Sequence, residues 1–79
     1  YPNPFNPSTT ISYYLRVPQS VKLEVFSAAG DQIATLVNGY QDIGSYDIQF
    51  DGRSYSSGVY FARLDVGVSS KTIKMMLIK

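Results

Sequence analysis

Cysteine and histidine are both absent from the 79 residues, and glutamate occurs once, at Glu24. Without thiols there can be no disulfide and no thiolate nucleophile, and without imidazole there is no side chain that titrates near neutrality unaided. The commonest zinc ligands go with them, and a Ser-His-Asp or Cys-His catalytic site is excluded. Charge is sparse as well: 16% of residues carry it, for a net +1, against about 25% in an average domain. So little charge cannot coat a phosphate backbone, and no nucleic-acid partner is expected. No apolar run approaches the ~18–20 residues of a spanning helix, so no transmembrane segment is expected. The opening residues lack a charged region followed by an apolar stretch, so no export signal is expected there. A chain of this length buries roughly 60% of its unfolded surface, enough for one core and little else. Residues 1–79 are therefore expected to form a single domain with no deep cavity, no cofactor and no metal.

What remains favours strands. There are only four alanines, while valine, isoleucine, threonine, tyrosine and phenylalanine dominate. Three prolines in the first seven positions, Pro2, Pro4 and Pro7, make the opening a rigid, non-ladder segment that Phe5 pins to the core. Residues 10–17 then alternate, with Ile11, Tyr13, Leu15 and Val17 inward. Residues 21–26 do the same, with Val21, Leu23 and Val25 inward and Lys22, Glu24 and Phe26 outward. Gly30 stands where a hairpin closed by a left-handed residue needs it. A third strand covers 32–37, anchored by Ile33 and Leu36. Asn38-Gly39 reads as a type I′ turn onto a short strand over 40–43. Tyr46, Ile48 and Phe50 share a face of the next strand, and residues 51–58 form a polar loop. Val59 to Val66 place Tyr60, Ala62, Leu64 and Val66 on one side. Beyond a turn at 67–70, a last strand over 71–79 points Ile73, Met75 and Leu77 one way and Thr72, Lys74, Met76 and Ile78 the other. Strands every eight to twelve residues predict an all-β, immunoglobulin-like antiparallel sandwich of six to seven strands.

Candidate sites are few. Asp47, Gln49 and Asp51 before Gly52 faintly resemble a calcium loop, but outward parity makes surface charges the better account. Among seven tyrosines, Tyr14, Tyr40 and Tyr55 are candidates for an exposed platform that stacks on sugars. That keeps a non-catalytic accessory or carbohydrate-binding module of a secreted hydrolase as the alternative. Lys71, Lys74 and Lys79 suit an edge strand guarded against aggregation. Met75-Met76-Leu77-Ile78 is odd: an apolar run beside the end of the sequence is either buried on both faces or kept for something that reads it.

Four stretches carry a family resemblance: residues 1–11 (YPNPFNPSTTI), 30–39 (GDQIATLVNG), 57–64 (SGVYFARL) and 74–79 (KMMLIK). Together, in this order, they resemble a type IX secretion C-terminal sorting domain, over essentially the whole chain. Asp51-Gly52-Arg53 and Ser57-Gly58-Val59-Tyr60 are also similar to the Ig-like domain of flagellar hook-capping proteins. The sorting resemblance implies an Ig-like sandwich that is not an enzyme, attached behind an N-terminal cargo domain. It implies recognition in the periplasm by the outer-membrane secretion translocon, then processing by a sortase-like surface protease, leaving the cargo secreted or on the cell surface. The positions matching the family's recognition motifs are Pro2, Asn3, Pro4 and Phe5, then Gly58 and Tyr60, then Lys74, Met75, Met76, Leu77, Ile78 and Lys79.

Overall fold

The computed structural model describes residues 8–78. Among them are six strands: β1 (Ser8–Leu15), β2 (Gln19–Ser27), β3 (Gln32–Gln41), β4 (Gly44–Asp51), β5 (Gly58–Val66) and β6 (Ser69–Leu77). They form two antiparallel sheets, one of β1 and β4, the other in the order β3-β2-β5-β6. The core is where the sheets face each other. Ile11 of β1 and Phe50 of β4 meet Leu23 and Val25 of β2, Tyr60 and Ala62 of β5, and Met75 and Leu77 of β6. This is the expected all-β, immunoglobulin-like sandwich. Period-two alternation located most of its buried side chains, because each sheet has one dry face.

Two turns depend on glycine. At the β2–β3 hairpin, Gly30 adopts φ 94°. Its N–H donates to the Ser27 carbonyl at 2.9 Å, while Ser27 N–H donates to the Asp31 carbonyl at 2.8 Å. Gly67, at φ 59°, and Val68 alone separate Val66 from its cross-strand partner Ser69. The β6 strand therefore starts two residues before the expected Lys71.

Three expectations fail. Asn38-Gly39 is not a turn: β3 runs straight through it, Gly39 lies opposite Val21 and Asn38 opposite Lys22. A type I′ turn needs positive φ at both central residues, and neither residue has it. Instead β3 spans the full length of β2, from Gln32 opposite Phe26 to Gln41 opposite Gln19, with two register shifts along the way. Val17 is not inward. It lies past the end of β1, in the link that carries the chain to the other sheet, and is exposed. Glu24 does lie on the outer face, but it is buried rather than solvated. It sits on a central strand, with Thr35 opposite on one side and Arg63 on the other.

Candidate functional surface

The two C-terminal motifs are brought together by strand pairing. Gly58 faces Leu77, Val59 faces Met76 and Tyr60 faces Met75 across the β5–β6 ladder. The pleat then divides β6 between two environments. Met75 and Leu77 are buried in the core, whereas Met76 and Ile78 are 66% and 69% exposed. Of the two readings of that apolar run, burial on both faces is excluded. Lys74, on the outer side, lies opposite Phe61.

Leu77 is held from two directions. Gly52, in the loop after β4, is buried against it so closely that a Cβ there would stand 2.6 Å from Leu77 Cδ1. The same loop contributes Tyr55, whose N–H donates to the Gly52 carbonyl at 3.0 Å. The Tyr55 ring lies 5.7 Å from that of Phe50 and 6.3 Å from that of Tyr60, and its phenol donates to the Ile33 carbonyl at 3.0 Å. Tyr60, buried, donates through its phenol to the Ser56 carbonyl at 2.7 Å. Loop and β5 are thereby fastened beneath the last strand. No cue in the sequence marks Gly52 as the seat of Leu77, because the contact joins positions 25 apart in the chain.

The register also lays out the outer face of the four-stranded sheet row by row. Val59 and Met76 form one row; Gln32, Phe26, Phe61 and Lys74 form the next. Then come Thr35, Glu24, Arg63 and Thr72, followed by Asn38, Lys22, Asp65 and Ser70. Opposite charges thus face each other across β2 and β5, Glu24 against Arg63 and Lys22 against Asp65. Along the strands, Lys22 Nζ lies 3.6 Å from Glu24 Oε2, and Arg63 Nε lies 3.1 Å from Asp65 Oδ1. A hydrogen bond from the Ser70 hydroxyl holds the Asp65 carboxyl below its ordinary value, helped by Arg63 and Lys22. Sequence reasoning marked Phe26 as outward but attached no role to it or to Phe61. Their adjacency depends on the non-sequential pairing of β2 with β5.

The remaining candidates disperse. Tyr14 and Tyr40 are exposed, but they belong to different sheets, and Tyr55 is half-buried by the ring contacts above. The three tyrosines make no common platform. Burial pushes the Tyr13 phenol up, despite its hydrogen bond to Gln41, and its ring stacks on Tyr46 at 5.3 Å. Asp47 accepts a hydrogen bond from the Ser12 hydroxyl at 2.6 Å, and Asp51 is taken by Arg53, with Nη2 2.7 Å from Oδ2. That hydrogen-bonded pair holds the Asp51 carboxyl below its usual range. Among the described residues, no three carboxylates gather as a metal site would require. No helix there is long and apolar enough to cross a membrane. Pro2, Asn3, Pro4, Phe5 and Lys79 lie outside the described residues.

A family model described as the secretion system C-terminal sorting domain matches residues 1–79. No curated protein and no solved structure is matched. The family is one of sorting signals rather than catalysts. Its members mark an N-terminally attached protein for type IX export, through the periplasm, to the cell surface or the medium. An all-β sandwich with a split-faced last strand agrees with that role, and the dispersal of Tyr14, Tyr40 and Tyr55 does not favour the sugar-binding alternative. The chain belongs to the secretion system C-terminal sorting domain family.

Proposed function

We propose that residues 1–79 act as one non-enzymatic sorting domain, and that the outer-membrane translocon reads residues 74–79 as part of the folded sandwich. One observation carries this reading. Strand β6 and the residue after it anchor Met75 and Leu77 in the core while presenting Met76 and Ile78 to solvent. A flexible tail would need no such anchor. Gly58 and Tyr60 then serve recognition by setting the strand on which β6 is laid, since they pair with Leu77 and Met75. Pro2, Asn3, Pro4 and Phe5 belong to the same recognition, by their match to the family's opening motif. Lys79 extends the read segment, and a sortase-like surface protease separates domain from cargo after export.

The test places residues 1–79 behind a reporter that carries its own inner-membrane export signal, in a host with a type IX system. The reporter should reach the surface or medium, and deletion of residues 74–79 should leave it in the periplasm. A reporter that stays periplasmic with the whole domain attached would end the sorting reading.

A further inference from the structure

We infer that the docking surface extends beyond the terminal segment to a composite apolar strip on the outer face of the four-stranded sheet. It is formed by Phe26 of β2, Val59 and Phe61 of β5 and Met76 of β6, with Lys74 among them. Its partner is a folded protein of the secretion machinery that offers an apolar surface carrying a carboxylate. This inference rests on the sorting function and names what the sorting site touches.

The registers place these side chains in two adjacent rows, Val59 beside Met76 and Phe26 beside Phe61 beside Lys74. Phe26, Val59 and Phe61 are half-buried by one another and by their neighbours, while Met76 stands open. An apolar strip on one half of a sheet face, with the ionic groups gathered on the other half, is the usual composition of a docking site.

Charge identifies the occupant. Four charges of this face are matched among themselves, Lys22 with Glu24 and Arg63 with Asp65. Lys74 lies outside that set and has no ion-pair partner among the described residues. A single unmatched ammonium beside apolar side chains calls for one carboxylate on an otherwise apolar counter-surface. A second copy of this chain does not supply it, because a two-fold pairing of the strip brings apolar groups and lysine to apolar groups and lysine. Four apolar side chains, three of them half-buried, also fall well short of the roughly 20–30 residues a side of a standard stable interface. An anionic lipid surface attracts clusters of about four to eight basic residues, and this face has three, Lys22, Arg63 and Lys74, two of them paired with carboxylates. A small strip suits a contact that must release its cargo after transport.

The experiment uses the reporter fusion with Phe61→Thr, Lys74→Glu and Tyr40→Thr, each purified domain first shown to melt like the parent. Tyr40 is exposed at the opposite end of the same sheet, opposite Ser20. Export should fall about tenfold or more for Phe61→Thr and Lys74→Glu, the size expected when an interface loses one anchoring contact, and stay at the parent level for Tyr40→Thr. If Phe61→Thr fails to fold, Val59→Thr decides, because Val59 lies in the strip but outside residues 74–79. Parental export of Phe61→Thr, or of Val59→Thr in its place, alongside periplasmic retention of the 74–79 deletion, would overturn the composite strip and leave the sorting reading standing, whatever Lys74→Glu does. Equal losses at Phe61 and Tyr40 would also overturn it. Binding of the purified domain to lipopolysaccharide vesicles that Lys74→Glu abolishes would replace the protein partner with a lipid one.

Discussion

Tyr60 serves two ends of its side chain at once. Its ring is 7% exposed within the core, and its phenol donates to the Ser56 carbonyl. Removing the ring leaves a cavity between β5 and the loop, so Tyr60→Ala should cost about 3–5 kcal/mol in urea-unfolding experiments, much of the stability a domain this small possesses. Removing only the hydroxyl, in Tyr60→Phe, should cost about 1 kcal/mol, the worth of one hydrogen bond. A loss below about 1 kcal/mol for the alanine variant would contradict the burial of the ring. That burial was legible in the sequence, since one residue in two of β5 points inward. Glu24 was not, because parity says which face a side chain takes but not which neighbours cover it. The expected exposure of Tyr55 fails for a related reason: it sits in a loop, where no period exists to count by.

Between elements, the closest fit is that of the β4–β5 loop on β6. Gly52→Ala would set a methyl group 2.6 Å from Leu77 Cδ1, and Leu77, 3% exposed, has little room to give way. Overpacking of this kind should cost roughly 1–3 kcal/mol. The loss should appear as faster amide hydrogen exchange along β6 than along β2, measured by NMR. Uniform acceleration over both strands would mean that Gly52 supports the whole sandwich rather than its last strand. Strand positions were largely readable beforehand, because alternating hydrophobic residues and the glycine at 30 are local signals. Asn38-Gly39 misled because a turn dipeptide is only permissive. The length of β2 available for pairing outweighed it, and β3 was drawn out to match.

Over the whole molecule, charge is laid out so that acid should weaken the fold. Asp65 and Asp51 both titrate below the ordinary carboxylate range, the first held mainly by Ser70 and the second by Arg53. An unfolded chain regains the ordinary value near pH 4 and so takes up protons before the folded one does. Stability from these groups is thus complete above that pH and is lost as the pH falls through their lower folded values. The melting temperature, followed from pH 7 downwards, should drop across the acid range, and Asp65→Asn should flatten part of that drop. An unchanged acid slope in the variant would remove Asp65 from the account. The sandwich class could be read from strand spacing, and the family from four motifs in order. The pairing of β2 with β5, which assembles both the charge square and the apolar strip, could not. It joins segments separated by two other strands, and no local residue preference encodes so distant a choice of neighbour.

Near its end, β6 is apolar on both sides, so sliding it one residue along β5 would trade Met75 and Leu77 for Met76 and Ile78 at little cost in hydrophobicity. Oiliness does not keep this strand in phase. The phase is set upstream, where Gly67 closes a two-residue reversal in a left-handed conformation, and beneath the seat at Gly52. The strand is clocked from its turn, not from its tip. One extra residue beside Val68 would leave the composition of the terminal segment intact and yet carry the wrong side of it outward.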